Sequence, residues 1–307
     1  MSTGKIAVMG AGAVGCYYGA ELAQAGETVT LIGRPALAEA VAERGLLLDK
    51  AGQTQTIALN AATTAEGVAG ADLVIVSVKS GDIPAAGQAI APHLAPDAIL
   101  LSFQNGVGNA ERLAEATGHP VIPVVVYVAT GMAGPGHVRH NGQGRLVFGE
   151  TPDSERAAKR FRAAGIEVDI SPDAETALWE KLTINCVFNA LSAVSQLPYG
   201  QIWGEPGVET MARAVLAECQ AVAAGSGITL PDDLWQAIAA IPGKMAGQYS
   251  STAQDLARGR ASEIDYLNGE IVRRAEALGL NVPANTTLWT LVRLAEKSGA
   301  LTEKQAQ

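Results

Sequence analysis

Apolar positions along this chain follow two rhythms. Up to about residue 171, short apolar runs alternate with stretches of helical period. Ile6-Ala7-Val8-Met9 precedes a helix from about Ala13 to Ala25, with Gly26 placed to end it, and Thr28 to Ile32 is the next strand. Leu73-Val74-Ile75-Val76 and Ala98-Ile99-Leu100-Leu101 read as two further buried strands. This strand–helix–strand order predicts a mostly parallel sheet covered on both faces. From Val121 to Gly149 the pattern changes: Val121–Ala129, Gly136–Arg139 and Leu146–Phe148 are strand-like and joined by Gly-rich turns. Those turns leave no room for crossover helices, so these strands extend the sheet with antiparallel members. Ile166 to Ile170 is the last strand.

Beyond Ser171-Pro172-Asp173 the strand signals stop. Asp173 is placed to cap a helix from Ala174 to about Ser195, and Leu197-Pro198-Tyr199-Gly200 interrupts it. Helical periods continue over 206–225, 231–240, 252–257, 262–278 and 285–298, and the polar tail after Leu301 is expected to fray. The pattern predicts an α/β domain over residues 1–170, with a mostly parallel sheet and an antiparallel extension, and an all-α domain over residues 171–307. A length of 307 residues is close to two ordinary domains.

Composition and charge narrow the function classes. Hydrophobic residues make up 48% and charged residues 17%, which fits a globular chain with a large core rather than a disordered one. There are 22 Lys and Arg against 31 Asp and Glu, a net charge of −9. Divided near residue 171, the two parts carry 12 basic against 16 acidic and 10 against 15, so both are acidic, at −4 and −5. Such a surface argues against nucleic-acid backbones and anionic membranes as partners. Cys16, Cys186 and Cys219 form no CxxC and no metal spacing, so a reducing compartment is expected. His137-x-x-His140 has no Cys or carboxylate pattern beside it, and no metal site is expected. The longest apolar run is broken by Pro123, and the first residues lack a secretory pattern. The expectation is a soluble cytoplasmic protein, monomeric or homodimeric, with a small-molecule partner.

The first candidate chemistry is Gly10-Ala11-Gly12-Ala13-Val14-Gly15. A lone G-x-G-x-x-G is a weak signal. Here it follows a strand and opens a helix, as a dinucleotide-binding loop of a Rossmann-type domain does. Gly10 serves the tight turn, Gly12 lets backbone N–H groups approach a pyrophosphate at the helix N-terminus, and Gly15 permits close helix–strand packing. The second strand ends in Leu31-Ile32-Gly33-Arg34-Pro35, with no carboxylate to repel a 2′-phosphate. Arg34 can bind such a phosphate through charge-assisted bonds, so NADP (as NADPH) is favoured over NAD. The plainer reading makes Arg34 a solvated surface charge. Lys79, just past the strand Leu73–Val78, either assists the cofactor or is solvated in the same way.

Ser102-Phe103-Gln104-Asn105-Gly106-Val107-Gly108 follows another strand, and the Asn105 amide is placed to orient either nicotinamide-ribose or substrate. Within the long helix, Lys181, Asn185 and Asn189 are spaced i, i+4, i+8 and share one face among apolar neighbours. Burying that polar stripe is costly unless it meets a wet cleft or a ligand. An ammonium suits a carbonyl reduction, because the oxygen gains negative charge as hydride arrives and then needs a proton. Ser251 offers a hydroxyl to a substrate carboxylate or caps the helix after it. Glu263 bonds a substrate hydroxyl, pairs with Lys181, or simply sits near a helix N-terminus. Spacing alone favours the plainer role for both.

Taken in order, these residues resemble the ketopantoate reductase (2-dehydropantoate 2-reductase) family. The likeness covers essentially the whole chain. It rests on Gly10–Gly15, Arg34, Lys79, Gln104-Asn105-Gly106, Trp179-Glu180-Lys181-Leu182 with Asn185 and Asn189, and Ser251 through Gln254-Asp255 to Glu263-Ile264-Asp265-Tyr266. The resemblance implies a Rossmann domain that binds NADPH and a helical domain that closes over a 2-keto acid. It implies Lys181 as general acid. It assigns Asn105 and Ser251 to substrate carboxylate and cofactor positioning, Asn185 and Asn189 to the substrate pocket, and Glu263 to a substrate hydroxyl, to Lys181 or to the cofactor. One departure stands out: the family often has Asn after the Pro of the helix-breaking loop, whereas Pro198 is followed by Tyr199. Tyr199 then takes the substrate-binding place of an amide. That leaves open a D-2-hydroxyacid dehydrogenase of the same build acting on another 2-keto acid, with NAD or NADP.

Overall fold

The computed structural model describes residues 4–305, with side chains through 298. Contacts divide the chain into two units. The first runs through Gln104 and resumes over Gly108–Glu175; the second comprises Asn105–Val107 and the chain from Thr176 onward.

The first unit contains β1 (Lys5–Met9), α1 (Ala13–Gln24), β2 (Thr28–Ile32), α2 (Pro35–Arg44), β3 (Leu46–Lys50), β4 (Gln53–Ile57), β5 (Asn60–Ala62) and β6 (Leu73–Val76). It continues with α3 (Ile83–Ile90), β7 (Ile99–Ser102), α4 (Asn109–Thr117), β8 (Val121–Gly134), β9 (His137–Gly149), α5 (Ser154–Ala163) and β10 (Val168–Ser171). The strands form one sheet in the order β4-β3-β9-β8-β7-β6-β1-β2-β5, with β10 also on β9. From β5 to β8 every pairing is parallel. The second half of β8 then pairs antiparallel with β9, which supplies the antiparallel extension.

Strand alternation builds two cores. Ile6, Val8, Val29, Leu31, Leu73, Ile75, Ile99 and Leu101 point into one apolar cluster, while Ala7, Ile32, Val74, Val76 and Leu100 point into another. Successive side chains of a strand face opposite sides, so a sheet covered on both faces needs the unbroken apolar runs seen in the sequence. The segment expected as two short strands is one long strand, β9. Its ladder with β8 shifts register near Val128, Thr130 and Gly134, so the glycine-rich stretch makes bulges rather than a turn.

The second unit is helical: α6 (Ala174–Ser195), α7 (Tyr199–Trp203), α8 (Val208–Gly225), α9 (Leu234–Lys244), α10 (Ser251–Ala257), α11 (Asn268–Leu278) and α12 (Pro283–Gln305). The last helix therefore passes Leu301, where fraying was expected; residues 306 and 307 lie outside the described residues. Trp179, Leu182, Cys186, Val187 and Phe188 of α6 are core members, as are Val107, Val215, Cys219, Ile238 and Ile271. A buried polar chain ties four helices together. Asn268 Nδ2 donates to Cys186 O at 3.0 Å and to Asn285 Oδ1 at 3.0 Å. Asn285 Nδ2 in turn donates to Glu218 Oε2 at 2.8 Å, and that carboxylate caps α12 by accepting from the Ala284 and Asn285 N–H groups at 2.8 and 2.9 Å. Asn268→Leu leaves the Asn285 acceptor buried without its donor. It is expected to cost about 2–3 kcal/mol, read as a lower urea midpoint; an unchanged midpoint would mean the chain is dispensable.

No helix among the described residues is long and apolar enough to cross a membrane. The three cysteines are buried and free.

Candidate active site

In the first unit the candidate residues gather at the carboxyl ends of strands. The chain leaves β1 for β2 and β5 on one side and returns to β6 on the other, so the strand order reverses at β1. Ligands of open α/β sheets bind at such a point. Gly10 and Ala11 donate their N–H groups to Ile32 O at 3.1 and 3.0 Å, which binds the glycine loop to the end of β2. Ser77, after β6, donates its hydroxyl to Gly10 O at 2.8 Å.

Each glycine of the loop has its own reason. Gly10 has φ +101°, a left-handed conformation, and a Cβ there would lie 2.5 Å from Val78 N. A Cβ on Gly15 would meet Gly10 O and Ser77 Oγ, both at 2.5 Å. At Gly12 nothing lies within 4 Å of a Cβ. The first intrahelical bond of α1 runs from Cys16 N–H to Gly12 O at 2.8 Å, so the N–H groups of Ala13, Val14 and Gly15 have no intrahelical acceptor. Open space at Gly12 in front of a helix N-terminus with free donors fits the pyrophosphate of a dinucleotide. Arg34 caps α2 after β2; it is exposed and its guanidinium pairs with no described residue. Lys79 is exposed at the turn after β6.

Gln104 ends this unit. It is buried, donates from Nε2 to Val76 O at 3.0 Å and Val78 O at 3.2 Å, and accepts from the Ser102 hydroxyl at 2.6 Å. This amide stitches the ends of β6 and β7 together.

In the second unit Lys181 Nζ donates to Asn105 Oδ1 at 2.7 Å. Asn105 follows a strand in sequence, yet it belongs to the helical unit, where its neighbour Val107 is buried in the core. Burial pushes the Lys181 ammonium from its usual 10.5 down to about 8, while the nearby Glu263 carboxylate pulls it back up. Asn185 and Asn189 lie on the Lys181 face of α6. Neither side-chain amide is hydrogen-bonded to a described residue, although Asn189 is only 4% exposed. No atom of either amide is both fully buried and unpaired, so each keeps an opening through which water or a ligand can complete it.

Ser250, not Ser251, caps α10: its Oγ accepts from Ala253 N–H at 3.0 Å and donates to Asn189 O at 3.2 Å. The exposed Ser251 hydroxyl is thereby left for another role. Glu263 precedes a single helical turn, Ile264–Tyr266. Tyr199 opens α7, is buried, and packs its ring 5.1 Å from that of Phe188; burial raises its phenol to about 12.

Lys181, Asn105 and Glu263 thus form one cluster, flanked along α6 by Asn185 and Asn189. Gly10–Gly15, Arg34 and Lys79 sit together in the other unit. Sequence reasoning assigned no role to Ser77, Gln104 or Ser250, although Gln104 stood in the motif that carried the resemblance. Only Gln104 and Ser77 had a signal, a polar residue directly beyond an apolar strand. His137 and His140 are used elsewhere: His137 Nε2 lies 2.9 Å from Asp49 Oδ1, and the His140 ring stacks on Tyr17 at 4.6 Å.

The sequence and the fold have relatives. Residues 6–153 match the ketopantoate reductase PanE/ApbA family, and residues 173–296 match that family's C-terminal region. A 2-dehydropantoate 2-reductase of Pyrococcus horikoshii is 32% identical, over 96% of this chain and 98% of its own. A PanE/ApbA family ketopantoate reductase from Ralstonia eutropha JMP134 superposes with a TM-score of 0.94 at 51% identity, covering 96% of this chain and 99% of that one. A D-mandelate dehydrogenase in ternary complex with NADH and anilino(oxo)acetate superposes with a TM-score of 0.90 at 25% identity, covering 96% and 99%.

Proposed function

The chain belongs to the ketopantoate reductase family, and on that premise we propose that it is an NADPH-dependent 2-dehydropantoate 2-reductase with Lys181 as its general acid. The product is D-pantoate, and the reaction serves pantothenate and coenzyme A synthesis in the cytoplasm. The observation that carries the reading is the desolvated Lys181 ammonium, held 2.7 Å from Asn105 beside Glu263 and two unpaired amides.

Residues up to about 170 hold the cofactor, and those from 171 on, with Asn105, serve the substrate. The backbone N–H groups at Gly12–Gly15 take the pyrophosphate, Arg34 the 2′-phosphate, and Lys79 adds positive charge. When bound, NADPH supplies a hydride to the carbonyl carbon of the keto acid. Lys181 holds a proton at Nζ, stabilises the charge growing on the carbonyl oxygen, and delivers that proton to it. Asn105 fixes the direction of the ammonium. Glu263 keeps it protonated at neutral pH and is placed to accept from a substrate hydroxyl. Asn185, Asn189 and Ser251 bind the remaining polar groups of the substrate, and Tyr199 meets its side chain.

The second reading is a D-2-hydroxyacid dehydrogenase with another 2-keto acid. Tyr199 in place of an amide favours it, as does the fold shared with a D-mandelate dehydrogenase.

Arg34→Ala should weaken NADPH by about ten- to hundredfold, or roughly 1.5–3 kcal/mol, and leave NADH nearly unchanged. Equal losses in a binding titration would remove Arg34 from phosphate recognition. An acid works only while protonated, and the Lys181 pKa is lowered to about 8, so kcat/KM for reduction should fall as pH rises through 8. Glu263→Gln removes the charge that raises this pKa, so the falling limb should move to lower pH. A profile that stays flat well above pH 8, or a limb that moves upward in Glu263→Gln, would assign the proton to another group.

A further inference from the structure

A chain of polar side chains inside the first unit ends at the glycine loop. The peptide unit between Gly10 and Ala11 is fixed at both ends. Its N–H donates to Ile32 O at 3.0 Å, and its carbonyl oxygen accepts from the Ser77 hydroxyl and from the Gly12 N–H, each at 2.8 Å. A carbonyl oxygen has two lone pairs, so these two bonds saturate it and set its direction. Ser77 also stands against the first turn of α1. A Cβ on Gly15 would lie 2.5 Å from Ser77 Oγ, so the hydroxyl occupies room that only glycine leaves. The N–H groups of that turn are the ones free for a pyrophosphate.

Ser77 is itself held in place. Its N–H donates to Met9 O at 2.8 Å. The residues on both sides of it are bound by one amide: Gln104 Nε2 donates to Val76 O at 3.0 Å and to Val78 O at 3.2 Å. Two carbonyls can face only the NH2 end of that amide, and the Ser102 hydroxyl fixes the other end by donating to Oε1 at 2.6 Å. Val76 O already accepts from the Phe103 N–H at 2.9 Å, so the ladder between β6 and β7 closes without Gln104. An amide only 6% exposed is costly beside an apolar side chain unless it is bonded. What its bonds fix is the stretch 76–78, which carries Ser77 to the loop.

We propose that Ser77 and Gln104 are positioning residues for the dinucleotide. Gln104 sets the stretch 76–78, Ser77 sets the Gly10–Ala11 peptide and the first turn of α1, and both act on the cofactor through the loop. The inference rests on the dinucleotide reading of residues 10–15 and deepens it. Pyrophosphate is common to NADPH and NADH, so the placement of the loop affects both alike, whereas Arg34 is assigned to the 2′-phosphate alone.

The test titrates the full-length protein with NADPH and with NADH, and measures Tm, for Ser77→Ala, Ser77→Thr, Gln104→Met and the double variant Ser77→Ala/Gln104→Met. Ser77→Ala should raise both Kd values by the same factor, about three- to tenfold, and the loss in reduction should appear in KM for NADPH rather than in kcat. Ser77→Thr keeps the hydroxyl and should restore binding. Gln104→Met should weaken both cofactors in the same way. In the double variant the two losses should not multiply, because both act through the Gly10 carbonyl. Unchanged Kd values in Ser77→Ala, or a loss confined to NADPH, would overturn the role of Ser77. Losses that multiply, or a lower Tm with intact Kd values in Gln104→Met, would overturn the relay and make Gln104 a structural residue. A wild type that binds neither dinucleotide would overturn the cofactor reading as well.

Discussion

Lys181→Ala is expected to lower kcat by ~10²–10⁴-fold, about 2.7–5.5 kcal/mol of barrier, with NADPH affinity nearly unchanged. The loss should appear in kcat because the interaction strengthens as charge develops on the carbonyl oxygen. Unfolding would be a trivial route to the same loss, and the structure separates the two. Alanine relieves the desolvated ammonium but also leaves Asn105 Oδ1 without its 2.7 Å donor, two effects of opposite sign, so Tm should change little. Lys181→Arg should rescue poorly: a guanidinium keeps the charge but is a very weak proton donor of different shape. An alanine variant with near-normal kcat and normal circular dichroism would make Lys181 a structural residue and remove the mechanism.

Gly12→Asp should abolish most cofactor binding and cost no stability. Gly12 has φ −84° and ψ −167°, which any residue adopts, and a Cβ there meets nothing within 4 Å. Aspartate is also a favoured residue at a helix N-cap. Folding therefore has no objection, but a carboxylate then stands where a pyrophosphate is expected. Like charges a few ångströms apart repel by up to about 4 kcal/mol near a protein surface. NADPH affinity should fall at least about a hundredfold, or roughly 2.7 kcal/mol, in a fluorescence titration, while Tm holds. Gly15→Ala is the contrast: its Cβ would press on Gly10 O and Ser77 Oγ at 2.5 Å, so this variant should lose Tm as well. Normal NADPH binding by Gly12→Asp would move the pyrophosphate elsewhere.

Much of this arrangement was legible in the residues, and the exceptions have physical causes. The β1–α1–β2 core was legible because a fully buried parallel sheet demands unbroken apolar runs, and α6 because 22 residues pass without a breaker. The β3–β4 hairpin escaped notice because Gln53-Thr54-Gln55-Thr56 is polar and mostly exposed at the sheet edge. β5 escaped because three residues, Asn60–Ala62, carry no period. β9 looked like two strands because its glycines punctuate sequence, while in the sheet they make bulges. The least legible feature was Asn105. Chain order places it after β7, and only packing assigns residues 105–107 to the helical unit, where Asn105 meets Lys181. The stripe of Lys181, Asn185 and Asn189 was readable from spacing, and Phe188 on the same helix is the core residue its apolar surroundings suggested.

The central claim is hydride reduction of a 2-keto acid with Lys181 supplying the proton. Its most direct test mixes the purified protein with NADPH and 2-dehydropantoate and follows both the loss of reduced-nicotinamide absorbance and the product. The account predicts that each NADPH consumed yields one D-pantoate, at a rate that collapses in Lys181→Ala. Tight NADPH binding with no oxidation on 2-dehydropantoate or any other 2-keto acid would contradict it, and would leave a protein that binds the dinucleotide without using it.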